Sequence, residues 1–245
     1  NPLLAADIVA WHAEMASYLK SVDPFGHIVT TSISHRDLEG LNDVKDMDIN
    51  QKHIYRATSS IPGTIASYEK AHGKPYVIGE FSYEWDWSKN FDDFGEDMDL
   101  DFKRGLWYGL FSPTPITPMS WWWEYFENRG MVPYFRNVRY VNDRMLKYGD
   151  GAFDPVSVQA GGADAFAVRC GGRMYVYAYN PSSKPLTALG IPMEGALKIA
   201  PKVVPFDFGK ARFRGGKRIK PENGTLTIPV NLAPRSEVLF EIKIK

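Results

Sequence analysis

Apolar residues recur at helical spacing from the start of the chain. Leu4, Ile8, Trp11, Met15, Tyr18 and Val22 follow at steps of three and four, which predicts one apolar helix face. Asn1-Pro2 reads as the helix start and Asp23-Pro24 as its end, because a residue before proline avoids the helical region. A β-branched run predicts a strand over 27–32, and 37–44 reads as a short helical or irregular link. A second strand is predicted over 48–55. Ser59 or Ser60 then caps a helix with Pro62 in its first turn, stopped after 72 by Gly73. A short apolar strand over 75–81 ends on a carboxylate, and an acidic, aromatic loop covers 82–96. Met98, Phe102, Leu106 and Leu110 mark the next helix, 116–122 the last strand of this region, and Tyr134, Val138, Val141 and Met145 a final helix ended by Gly149.

Strands and helices thus alternate up to residue 149, and the strands are short and apolar throughout. Both features predict a parallel sheet covered on its faces by helices. Past Asp150 the helical period disappears. Residues 165–170, 174–179, 226–230 and 238–244 read as short β runs, separated in part by turns at Gly171-Gly172, Asn180-Pro181 and Asn223-Gly224. The expected organisation is an α/β domain over 1–149 and an antiparallel β-sandwich over 150–245. The basic, glycine-rich stretch 210–220 reads as a solvated loop.

Composition narrows the function. The 245 residues carry 29 basic and 29 acidic side chains, so no basic excess points to nucleic acid. No apolar run is long enough to predict a membrane span. Cys170 is the single cysteine, which excludes an internal disulfide and leaves the compartment open. No Cys/His spacing for zinc, phosphate-binding glycine loop or Gly-x-Ser-x-Gly elbow occurs, and no cofactor is expected. The acids Glu84, Asp86, Asp92, Asp93, Glu96, Asp97, Asp99 and Asp101 lack the alternating loop and central glycine of a helix–loop–helix calcium site. They read as a solvated face or pocket rim. Aromatic residues make up 14% of the chain, and most of the seven Trp fall between Trp85 and Trp123. Clustered Trp near strand ends either fills a core or offers flat platforms for sugar rings.

The chemistry concentrates at Glu80. In a parallel α/β barrel, reactive groups sit at the C-terminal ends of strands, and Glu80 closes the strand Tyr76-Val77-Ile78-Gly79-Glu80. A carboxylate after apolar residues needs a partner. Capping a helix or pairing with an arginine would supply one equally well. His53 and Tyr55, two residues apart on the preceding strand, share one face, and that face can adjoin Glu80. A Tyr hydroxyl donating to a carboxylate keeps it ionised and oriented. On the last strand Trp121 and Trp123 alternate with Trp122, so at least one reaches the pocket. Trp85, Ser32, His35 and Asn50 are further candidates to line it from neighbouring strand ends.

Together these segments resemble clan-A glycoside hydrolases, in particular the cellulase- and mannanase-like families. The Asp23-Pro24 turn before a strand, the His53-x-Tyr55 pair, the Lys74-Pro75 start of a strand closing on Glu80-Phe81, and the Trp at the end of the last strand match strands five to eight of that barrel. The resemblance covers about residues 1–148. It implies the second half of a (β/α)8 TIM barrel followed by a β-sandwich, with Glu80 as the nucleophile of a retaining glycosidase acting on a β-linked polysaccharide or oligosaccharide. It further implies Tyr55 and His53 as its partners, Trp121 and Trp122 as sugar contacts beside the candidate Trp85, and a secreted or periplasmic setting. The family's acid/base lies in an Asn-Glu pair after strand four, and no Asn-Glu dipeptide occurs here. Roughly 150 residues precede the sandwich, against about 250 for a whole barrel. The expectation is therefore a fragment that pairs with a missing N-terminal half-barrel or with itself, because open edges and apolar patches invite association. Glu84, Asp86 or Glu124 would be the in-chain alternatives for the acid. A non-catalytic carbohydrate-binding protein and a barrel enzyme using Glu80 as general base are the competing functions.

Overall fold

The computed structural model describes residues 4–34, 36–193 and 199–244. The predicted cap at Asn1-Pro2 and the candidate His35 lie outside them. The chain divides into two compact units, 1–129 and 130–245.

The first unit opens on helix α1, Ala5–Val22, which ends where Asp23-Pro24 stops it. The face it buries differs from the predicted one. Val9, Ala13 and Ala16 pack on Leu41, Val44 and Met47, whereas Leu4, Trp11, Tyr18 and Val22 are exposed. Small side chains let the helix approach the link closely, and the bulky stripe is left outward. Leu19, Phe25 and Ile28 extend that exposed apolar surface.

Strands β1 (Asn50–Tyr55) and β2 (Tyr76–Ser82) pair in parallel. Helix α2, Ile61–His72, crosses between them, with Pro62 in its first turn and Gly73 left-handed at φ 63° after its end. Gly73 permits that conformation because it has no Cβ. Two further segments flank the pair. Residues 29–34 run beside β1 through Asp48 N→Val29 O and His53 N→Ser34 O, both near 3 Å. Residues 119–121 run beside β2 through Phe81 N→Met119 O and Trp121 N→Phe81 O. Four parallel segments thus stand in sequence order, as the alternation predicts. The outer two form no regular ladder: residues 27–32 are assigned no strand, and 116–122 contribute one bridge, Phe81–Ser120.

Helix α3, Gly95–Leu110, closes over β2, with Met98, Phe102, Leu106 and Trp107 buried. Its Gly105 lies against the Phe81 ring, and a Cβ there would fall 2.1 Å from Phe81 Cε2. Phe81 therefore points to the helical side and Glu80 to the opposite one. After Ser120 the chain turns through Trp122 at φ 56°, a left-handed conformation rare for a bulky residue, into a short helix α4, Trp123–Asn128. The predicted strand stops before Trp122 for that reason.

The second unit holds helix α5 (Phe135–Gly149) and strands β3 Asp154–Val156, β4 Asp164–Cys170, β5 Arg173–Tyr179, β7 Lys202–Asp207, β8 Arg212–Phe213, β9 Lys217–Arg218 and β11 Glu237–Lys243. The helix packs on a sheet ordered β3-β4-β5-β11-β7-β8, with β9 also on β7. Strands β6 (Leu186–Pro192) and β10 (Thr225–Leu232) form the facing pair. Val176, Ala178, Val203 and Ile242 of the large sheet share one core with Leu189, Ile191, Leu226 and Ile228 of the pair, so the architecture is a sandwich. Alternation sends Tyr175, Tyr177 and Glu241 to the other face. There Glu241 meets Arg144 of α5 at 2.5 Å and Arg173 at 2.9 Å. Those contacts draw α5 into the second unit, so the compact units meet at Arg129-Gly130 while helix gives way to strand near residue 150. The stretch 210–220, read as a loop, holds β8 and β9, anchored by Phe213 against Tyr140 and Phe206.

Candidate active site

Gly79 sets the geometry at the end of β2. The parallel register pairs Lys52 with Ile78 and then His53 with Glu80, so Gly79 is passed over in a bulge. Its missing side chain leaves the space that two neighbours occupy: a Cβ would stand 1.9 Å from Gln51 Oε1 and 3.2 Å from His53 Nε2. Gln51 in turn donates to the Thr31 carbonyl. The bulge brings Glu80 level with the His53–Tyr55 pair. The Tyr55 hydroxyl donates to Glu80 Oε2, and His53 Nδ1 stands 3.1 Å from the same oxygen. The imidazole is 7% exposed and the carboxylate 24%, so the acid is sheltered yet reachable. Burial and the adjacent carboxylate both push the Tyr55 phenol well above its ordinary value of 10, and it remains a donor.

Glu84, four residues further on, is a second organised carboxylate that spacing alone did not single out as one. It is buried and accepts from Arg56 Nε (2.8 Å), Arg56 Nη2, Lys89 Nζ (2.6 Å) and the backbone amides of Trp85 (2.8 Å) and Asp86 (3.0 Å). Burial raises its pKa. The hydrogen bonds from Lys89, Arg56 and the two amides outweigh that and bring it down to about 2. Its own carbonyl accepts from Trp122 Nε1 at 2.6 Å. Arg56 follows Tyr55 directly at φ 61°, donates its amide to the Ser82 carbonyl and stacks on the Trp85 ring. Glu84 therefore ties together the ends of β1, β2 and the Trp121–Trp123 segment. The sequence marked it as a member of the acidic loop and as one of three in-chain alternatives for the acid; Arg56 and Lys89 carried no signal.

The other predicted contacts separate. Trp121 is 41% exposed, its backbone beside Phe81, one residue from Glu80. Trp123 and Trp85 are exposed at 59% and 54%. Trp122 is turned into the loop, its ring on Phe91 and its indole N–H on Glu84, so it acts as a support more than as an open platform. Asn50 does not join the site. It is buried at the opposite end of β1 and donates to the Asn42 carbonyl. Ser32 does join it, with Oγ 3.2 Å from His53 Nε2.

The acids of the 84–101 segment are used separately: Asp86 caps Ser88, Asp99 pairs with Arg129, and Asp101 accepts from Thr58. Among the described residues no three His, Cys, Asp or Glu side chains gather as a metal site. No described helix is long and apolar enough to cross a membrane.

No family model matches the sequence, and no curated protein does. Solved structures do match the fold. A xyloglucanase of glycoside hydrolase family 44 from Paenibacillus polymyxa covers 100% of this chain with 62% of its own, at 11% identity and a TM-score of 0.60. The family 44 endoglucanase Cel44A from Clostridium thermocellum covers 99% with 62% of its own, at 11% identity and a TM-score of 0.58. A family 30 endoxylanase from Clostridium papyrosolvens covers 97% with 60% of its own, at 15% identity and a TM-score of 0.56. This chain thus spans about three fifths of the length of these glycoside hydrolases, and its fold is that of the second half of their (β/α)8 barrel followed by a β-sandwich.

Proposed function

We propose that this chain carries the nucleophile half of a retaining glycoside hydrolase acting on a β-linked polysaccharide or oligosaccharide. The observation that carries the reading is Glu80 at the end of β2, with the Tyr55 hydroxyl and the His53 imidazole converging on Oε2. Both contacts fall on one oxygen, and Oε1 is left to reach an anomeric carbon. In the first step Glu80 forms a bond to that carbon as the glycosidic C–O bond breaks, and a carboxylic acid protonates the departing oxygen. In the second, water attacks the same carbon, its proton passes to that acid's conjugate base, and Glu80 leaves as a carboxylate. The acid sits about 5–5.5 Å from the nucleophile in such enzymes. Glu84 does not suit that role. Two cations and two amides hold it ionised, and an acid catalyst has to carry a proton near the working pH. We assign the acid/base to a half-barrel outside these residues, which would also cover the exposed face of Trp11, Tyr18 and Val22. Size-exclusion chromatography of the isolated chain tests that association; a compact, stable monomer counts against it.

A glycoside with fluorine at C2 and a dinitrophenolate leaving group tests the nucleophile, because such a leaving group needs no acid. Mass spectrometry should find one glycosyl adduct on the peptide containing Glu80, and none in Glu80→Gln. Labelling elsewhere, or none in a chain that binds the reagent, overturns the assignment. The exposed Trp85, Trp121 and Trp123 favour a second reading, sugar binding without cleavage. It predicts oligosaccharide affinity without any adduct.

A further inference from the structure

We propose that Ser32 is a positioning residue that holds the His53 imidazole in the tautomer carrying its proton on Nδ1, toward Glu80. The inference rests on the nucleophile assignment above and extends it to the neighbouring parallel segment. The imidazole on β1 is met by the two flanking segments, β2 on one side and residues 29–34 on the other. Nε2 lies close to the bare backbone of Gly79, where a Cβ would come 3.2 Å from it. Nδ1 stands 3.1 Å from Glu80 Oε2. Nε2 stands 3.2 Å from Ser32 Oγ. The ring is almost wholly buried, so solvent does little to choose its protonation pattern.

A neutral imidazole has one N–H and one lone pair. With the proton on Nε2, the Nδ1 lone pair would face a carboxylate oxygen at 3.1 Å, and two electron-rich atoms would repel in a sheltered site. With the proton on Nδ1, positive hydrogen faces negative oxygen, and Nε2 becomes an acceptor. That acceptor needs a donor, and the Ser32 hydroxyl can turn its O–H to it. Ser32 therefore acts on Glu80 through His53. By holding the ring's N–H toward Oε2, it keeps Oε2 occupied and Oε1 directed outward.

The test uses the chain labelled with nitrogen-15 in its imidazoles, at about pH 8.5, where an unperturbed ring is neutral. Long-range proton–nitrogen spectra should show a protonated Nδ1 and a bare Nε2 for His53. Ser32→Ala should raise the population of the Nε2-protonated tautomer and label with the fluorinated glycoside about tenfold more slowly, the order expected for one lost hydrogen bond. Ser32→Thr, which restores the hydroxyl, should recover both. Ser32 is exposed, so Ala leaves no cavity. A wild-type ring protonated on Nε2, or an Ala variant with the wild-type pattern, overturns the proposal. The two assignments fail separately. An adduct on Glu80 with an unresponsive tautomer removes only Ser32, and a responsive tautomer without an adduct removes only the nucleophile.

Discussion

Replacing Glu84 by Gln keeps the shape of the side chain and removes its charge. Oε1 accepts from Arg56 and from the amides of Trp85 and Asp86, and Oε2 accepts from Lys89 at 2.6 Å. A Gln can keep one oxygen on the first group only by turning its amide N–H toward the Lys89 ammonium, donor against donor. Lowering a carboxyl from its usual 4.5 to about 2 corresponds to roughly 3 kcal/mol of preference for the folded, ionised state. The Arg56 and Lys89 side chains are nearly half exposed, and water screens the pairs, so about 1–2 kcal/mol is the expected loss at neutral pH. The sign follows from the depressed value. The stabilisation is present above about 4.5, and it fades as pH falls toward 2, with more than roughly half gone by about pH 3. Urea unfolding of both proteins between about pH 7 and pH 3 measures this, because Gln does not titrate and the difference isolates Glu84. A difference below about 0.5 kcal/mol at neutral pH, or one independent of pH, would refute the clamp. The fluorescence of Trp122, whose indole N–H rests on the Glu84 carbonyl, should shift in the same variant.

Three further outcomes follow from the packing. Asp101 is buried, and burial raises its carboxyl to about 6 against the bonds from Thr58 and Arg104. Its protonated form is the favoured one, so its contribution to stability is full below about 3.8 and lost as pH rises through about 6. Asp101→Asn should flatten the fall in stability between about pH 4 and pH 7 by roughly 1–3 kcal/mol, read by thermal unfolding. Gly105→Ala would drive a Cβ into the Phe81 ring at 2.1 Å and should cost about 1–3 kcal/mol despite the better helix propensity of Ala; unchanged thermal stability would contradict the packing of α3 on β2. Glu241→Ala leaves Arg144 and Arg173 without their shared buried carboxylate and should cost about 3–5 kcal/mol in chemical denaturation of the second unit.

The order of elements in the first unit and the place of the carboxylate were written in local sequence. Period and punctuation are local: Asp23-Pro24 and Gly73 end their helices where they stand, β1 falls within the run read as a strand, and β2 overruns its predicted end by one residue, Ser82. The His53–Tyr55–Glu80 grouping was legible for the same reason, since period two on one strand and a parallel neighbour bring them to one side. Tertiary structure decided what depends on distant partners. Glu84 and Arg56 lie 28 residues apart, and only the meeting of β1 and β2 makes them a pair. Trp122 turns inward because a carbonyl 38 residues earlier accepts its N–H. Helix α1 carries two apolar stripes, and what buries one of them is the packing of Val9, Ala13 and Ala16 against the link rather than the period itself. Strands β6 and β7 carry no local signature, because their pattern gains meaning only against the sheets they complete. Local spacing specifies which face a side chain takes; what that face meets is set by chain segments brought close only on folding.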